Sequence, residues 1–136
     1  MAKQTKKIDK EKKIAKKKSK VLVPSGMIYI QSTFNNTLVT VTDETGNVIA
    51  WSTSGVMGFK GAKKSTPYAS QLTVANVMEK AKARGFNRAR VFVSGVGSGR
   101  DSAVRALAAA QIQIESIKDI TPEAHNGCRQ KKARRI

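Results

Sequence analysis

Gly95, Gly97 and Gly99, followed at once by Arg100, are the residues of this sequence best suited to act on an anion. They stand between two different patterns. Before them Val91, Phe92 and Val93 form a short apolar run that reads as a buried strand; after them, from Asp101 onward, Ala103, Val104, Leu107, Ala108 and Ala110 recur at helical spacing. Where a strand passes through glycines into a helix, the main chain can approach a ligand closely. The first helical amides have no partner inside the helix, and the dipole there is positive. Arg100 at that mouth and Arg105 one turn further on point to a ligand carrying phosphate, with Asp101 or Ser102 as the helix cap. A second cationic stretch is GVMGFKGAKKSTP, Gly55 to Pro67. Lys60, Lys63 and Lys64 sit among the glycines Gly58 and Gly61, with no alternation. Loops of this length are uncommon in compact domains unless functional, so it reads as a surface segment that is mobile until a partner binds. Phe59 within it reads as an anchor into the local core, with a base-stacking platform as the alternative.

Charge decides which phosphate is meant. The chain has 136 residues, enough for one domain with a modest core, and its 26 Lys and Arg against 9 Asp and Glu leave a net charge of +17. Such a charge opposes compaction by self-repulsion, so the expected partner is a polyanion; a mononucleotide enzyme has no need of it. The excess is concentrated at the ends. Ten lysines against Asp9 and Glu11 give residues 1–20 a surplus of eight, Arg129, Lys131, Lys132, Arg134 and Arg135 give residues 125–136 five, and the body over 21–124 keeps four. The first twenty residues have too little apolar surface to offset the entropy of ordering, and are expected to be a disordered basic arm.

Other chemistries find little support. The single cysteine, Cys128, excludes an internal disulfide framework and fits a reducing compartment. His125 and Cys128 are the only His and Cys, too few for a zinc site of four ligands. The glycines spell a poor copy of the dinucleotide fingerprint and lack the Gly-Lys-Ser/Thr ending of a P-loop. No cofactor and no metal are expected. No apolar run approaches the roughly 20 residues of a membrane span and no signal core is present, so a soluble intracellular protein is expected, without a homo-oligomer.

The elements that must hold these residues can be read along the body. Met27 to Phe34 is a strand with Ile28, Ile30 and Phe34 alternating, Asn35-Asn36 a hairpin turn tolerant of left-handed backbone, and Leu38 to Asp43 a second strand. DETGN over Asp43 to Asn47 is a second turn, and Val48 to Thr53 returns with Ile49 and Trp51 on one side. Thr66-Pro67 caps a helix over Tyr68 to Arg84 that buries Leu72, Ala75, Met78, Val74 and Val77 and stops at Gly85. The last strand lies around Ile112 to Ile120, with Ile117 out of phase and a bulge or late start expected. A βββαβαβ order predicts an α/β fold with a mixed sheet, two main helices packed on it and the glycine loop at its carboxyl edge.

Four blocks carry a resemblance: QSTFNNTLVTVTDETGNVIAWSTSG, GFKGAKKSTPYASQ, SGVGSGRDSAVRAL and DITPEAHNGCR, in that order. Together they resemble the bacterial-type small ribosomal subunit protein eleven family over nearly everything from Gly26 to Arg129. The resemblance implies a ribonuclease-H-like three-layer α/β/α fold and a place on the platform of the small subunit. It implies 16S rRNA as ligand and small-subunit proteins six, seven, eighteen and twenty-one as neighbours, beside the exit path where mRNA pairs with the rRNA 3′ end. It also implies isoaspartate formation at Asn126-Gly127, because Gly127 has no side chain to hinder attack of its amide on the asparagine carbonyl. The sequence departs from the family at Val96 and Ser98, where prolines are usual, at Gln111, where glycine is usual, and at Gln130-Lys131, where two prolines are usual; its lysine arm is also longer.

No reaction is expected. Binding would come from phosphate neutralisation and counterion release, with specificity from RNA shape. The expected phosphate contacts are Lys60, Lys63, Lys64, Arg100, Arg105, Arg129, Lys131, Lys132, Arg134 and Arg135. Gly58, Gly61, Gly97 and Gly99 would allow close backbone approach, and Asn35, Asn36 and Asn126 would reach ribose or base edges. The alternative is a ribonuclease-H-like nuclease, but that chemistry needs clustered carboxylates for two divalent ions. The first strand has no acid, and Asp43, Asp101 and Asp119 read as turn, cap and strand-end residues.

Overall fold

Alternation of apolar and polar residues folds the start of the body into a meander. β1 (Ser25–Ser32), β2 (Thr37–Asp43) and β3 (Val48–Thr53) pair antiparallel in sequence order. The computed structural model describes residues 22–136; the basic arm expected over 1–20 lies outside them. After the meander come α1 (Pro67–Lys82), β4 (Arg88–Gly95), α2 (Gly99–Ala109) and β5 (Gln113–Asp119). β4 lies parallel to β1 and β5 parallel to β4, so the sheet runs β3-β2-β1-β4-β5. The α/β class, the mixed five-stranded sheet and the βββαβαβ order are as the sequence predicts.

The layers differ from the expected three. α1 lies over β2 and β3, and α2 packs beside it over β1, so both helices cover one face. Two crossovers of the same hand that move in the same direction across a sheet must put their helices on the same side. Among the described residues the third layer of a ribonuclease-H-like sandwich is therefore not formed, and the second face of the sheet is open. The core is the space between the covered face and the helices. Ile28, Ile30, Val39, Val41, Val91 and Val93 from the strands meet Val74, Val77, Met78 and Leu107 from the helices. Each large apolar side chain buried in this way contributes about 1.5–3 kcal/mol. Phe86, in the turn between α1 and β4, is fully buried and belongs to the same core, although no periodicity singles it out.

Several expected details shift. Phe34 is not on the core face of β1 but in the turn beyond it, 76% exposed. Asn35 and Asn36 do form the turn, but neither takes left-handed backbone. The Thr33 hydroxyl accepts from both of their amides and Asn36 Oδ1 accepts from the Thr37 amide, which closes the turn without positive φ. In β3 the residues facing the helices are Ala50 and Ser52, and Trp51 stands outside. α1 turns Ala69, Ser70, Thr73, Val74, Val77, Met78 and Ala81 inward, so Leu72 is only half-buried and Ala75 exposed. The buried face is centred on small residues because α1 must lie close to α2 as well as to the sheet. α2 begins at Gly99, earlier than expected, with Ser98 as its cap position and no side-chain cap bond. Neither Asp101 nor Ser102 caps it, and Ala108 is exposed. The bulge in β5 falls at Glu115, where the pairing with β4 shifts.

Candidate nucleic-acid interface

The carboxyl ends of β1, β3, β4 and β5 and the start of β2 lie at one edge of the sheet. That edge therefore collects the Asn35-Asn36 turn, the segment after β3, the glycine loop and the departing tail. Both helices also begin there, so their positive ends and unpaired amides face the same way.

Lys60, Lys63 and Lys64 occupy a segment with more order than its composition predicts. A single 3-10 turn, Gly61–Ser65, runs into Thr66, whose hydroxyl accepts from the Ala69 amide at the start of α1 with Pro67 in the first turn. The cap expected from Thr66-Pro67 is thus present. Lys63 and Lys64 lie in the last turn of that short helix, where cations favour its carbonyl end; Lys60 and Lys63 are exposed and Lys64 is half-buried. Gly58 and Gly61 both take positive φ and are exposed. Phe59 is half-buried, set edge-on to Tyr68 with ring centroids 6.1 Å apart, so it anchors the segment locally.

The glycine loop behaves differently. A side chain at Gly95 would collide with the Ser32 carbonyl, one at Gly97 with the Ser32 hydroxyl and Thr33 carbonyl, and one at Gly99 with the Thr37 hydroxyl and Ser70. The glycines let the loop lie on the β1–β2 turn and the first turn of α1; the close approach is to the protein's own backbone. Ser98 donates to the Ser65 carbonyl, and Ser70 and Ser102 hydroxyls meet at 2.7 Å, which locks the two helix starts together.

Arg100 is drawn into this lock. Its guanidinium donates to the Gly95 carbonyl at 2.9 Å and pairs with Asp119, whose other oxygen accepts from the Thr121 hydroxyl at 2.6 Å. The Thr121 hydrogen bond, then Arg100, hold the Asp119 carboxyl well below the usual carboxylate range. The cation expected to reach outward instead ties the loop to the end of β5. Arg105, exposed on α2, stands between a groove lined by Gln71, Ala75, Ala106, Ala109 and Ala110 and a hollow it shares with Arg100, Asp101 and Asp119. Asn35 is exposed at the turn, and the side-chain oxygen of Asn36 is used within it.

Beyond Thr121 the chain has no helix or strand. Asn126 takes φ 56°, and Asn126, Arg129, Lys131, Lys132, Arg134 and Arg135 are all exposed. The edge also carries apolar residues that the sequence did not mark: Phe34, Val56, Tyr68 and Val96 are each more than half exposed. Their exposure follows from loop geometry, which leaves no periodic signal. Among the described residues no group of three or more His, Cys, Asp or Glu is placed to hold a metal ion, and no helix is long and apolar enough to cross a membrane.

A family model described as "Ribosomal protein S11" matches residues 26–135. The chain belongs to this family. The small ribosomal subunit protein uS11 of Sulfurovum sp. (strain NBC37-1) is 53% identical over 124 residues, which cover 90% of this chain and 100% of that protein. The uS11 protein of Borreliella burgdorferi (strain ZS7) is 52% identical over 122 residues, 90% of this chain and 94% of that one. Membership makes the chain a structural protein of the small ribosomal subunit and not an enzyme. A ribosomal partner set of rRNA and proteins goes with it. At Gln111, just after α2, the backbone takes a left-handed conformation at φ 57°, so a non-glycine residue bears strain there.

Proposed function

We propose that this chain is a structural component of the small-subunit platform that binds 16S rRNA through the loop-bearing edge of its sheet and its 125–136 tail. Lys60, Lys63 and Lys64 and the tail cations Arg129, Lys131, Lys132, Arg134 and Arg135 supply phosphate contacts. Asn35, Asn126 and the backbone at Gly58 and Gly61 touch ribose or base edges. Gly97, Gly99 and Arg100 hold the edge in shape from within. Small-subunit proteins six, seven, eighteen and twenty-one are its neighbours, and the assembly supports the exit region where mRNA pairs with the 3′ end of the rRNA. The protein works on the ribosome in the cytoplasm.

One observation carries this reading: the exposed lysines of the long segment, both helix starts and the point where the cationic tail leaves β5 lie at a single edge. Affinity there arises from counterion release and selectivity from the shape of folded RNA. Chemical footprinting of small-subunit rRNA by the purified protein, alone and with the platform proteins, tests it. The expected result is a compact protected region that fades when Lys63 and Lys64 are replaced; absence of protection at moderate salt overturns it. Asn126-Gly127, exposed and outside regular structure, is the proposed site of isoaspartate formation, and an intact asparagine in peptide maps of aged protein would remove that assignment.

A further inference from the structure

The open face of the sheet carries an ordered row of side chains. Strand register sets Trp51, Thr40, Tyr29, Phe92 and Lys118 side by side across all five strands. Trp51 is 54% exposed. Tyr29 and Phe92 are half-buried, with ring centroids 5.2 Å apart and planes 17° from parallel. Neighbouring strands are about 4.8 Å apart, so two nearly parallel rings at this distance stand up from the sheet and cover each other's inner faces. Thr40 has no ring. It leaves a gap of two strand spacings, about 10 Å, between the positions of Trp51 and Tyr29. A planar group over Thr40 would have its centre about 5 Å from each neighbour, inside the range of about 4.5–7 Å over which aromatic rings attract.

The charge of the face selects the kind of planar group. Arg90 is in register with Met27, Arg88 with Ser25, and Lys118 closes the row beyond Phe92; all three cations are exposed. Against them stands Glu115, in the bulge of the edge strand. Flat rings bordered by exposed cations suit bases joined by phosphates.

We propose that the slot over Thr40 takes an unpaired base of an RNA strand whose phosphates run towards Arg90, Arg88 and Lys118. The inference rests on the reading of this chain as an RNA-binding protein, but assigns a surface separate from the loop edge. An acidic protein would also cover the rings, yet it would have no use for a gap one planar group wide.

Trp51 is the only tryptophan in the chain, so its fluorescence reports on the slot. The full chain is titrated with a single-stranded oligoadenylate of roughly ten nucleotides, within the usual site size for such contacts. Quenching of Trp51 is expected. Thr40→Phe, which fills the slot while keeping a strand-forming residue, and Tyr29→Leu, which removes one wall, should each weaken binding about tenfold. The slot is overturned if the oligonucleotide does not quench Trp51, or if both slot variants, folded by circular dichroism, bind it as the unaltered chain does. Crosslinking of Tyr29 and Phe92 to a ribosomal protein instead of RNA in reassembled subunits overturns it too. If the unaltered chain still protects rRNA in those cases, the loop-edge reading stands; if it protects none, that reading fails as well.

Discussion

The glycine loop and the lysine segment lie at the same edge of the sheet, and both look from their composition like places where phosphate would be held. They do opposite things. Gly95, Gly97 and Gly99 are glycines because their backbone is pressed against Ser32, Thr33 and Thr37, and Arg100 is bonded to Gly95 and Asp119. Lys60 and Lys63 have no such claim on them and project from a short turn into solvent. A glycine-rich approach between strand and helix is needed whenever two backbones come close, whether the second belongs to a ligand or to the same chain. The pattern alone does not distinguish the two.

That contrast leads to graded expectations. Gly95→Ala should do most damage: it forces a side chain into positive φ and onto the Ser32 carbonyl, and should lower unfolding free energy by about 2–5 kcal/mol in denaturant titrations. A loss below about 0.5 kcal/mol would show that the loop does not rest on β1 as described. Replacing Lys63 and Lys64 with glutamine should leave stability nearly unchanged and lower the slope of log affinity against log salt by about one for each phosphate no longer neutralised. An unchanged slope would take both lysines out of the interface.

Smaller effects concern the backbone and the far end of the sheet. Gln111→Gly should relieve the left-handed strain after α2 and raise stability by up to about 1 kcal/mol, measured as a higher denaturation midpoint with an unchanged slope. The least effect is expected at Asp43, on the β2–β3 turn. Its carboxylate accepts from the side chains of Asn47 and Thr45 and from both their amides, which lowers its pKa from 3.8 to about 2. A depressed carboxylate contributes stability above its unfolded pKa and loses it as pH falls towards the folded value. Stability should therefore drop between about pH 4 and pH 2, and Asp43→Asn should flatten the part of that drop due to this turn while leaving RNA binding intact. An equally steep acid profile in the variant would show that the turn bonds do not matter in solution.

How far the sequence could be read depends on the kind of signal. Element order came from periodicity: Ile28 and Ile30, Val39 and Val41, and Val91 and Val93 alternate as half-covered strands must, and Thr66-Pro67 marks a helix start by local chemistry that needs no distant partner. The bulge was visible in the phase of Ile117. Which side of α1 faces inward was not, because Ser70 is buried against Ser102 of α2, some thirty positions away, and Thr73 against Ser54 beyond β3. Trp51 and Phe34 were misplaced for a related reason. Hydrophobicity says that a residue gains from burial, but only the assembled sheet shows whether anything is there to bury it.

By itself, the sequence determined the class of partner, through a +17 charge concentrated in its ends, and the succession of strands and helices, through local periodicity and caps. Tertiary structure alone decided that both helices share one face, leaving the other open, and that Arg100 turns inward while the lysines turn out. The direction of a crossover and the partner of a long side chain depend on residues far apart in the chain, and those meet only once the sheet has closed.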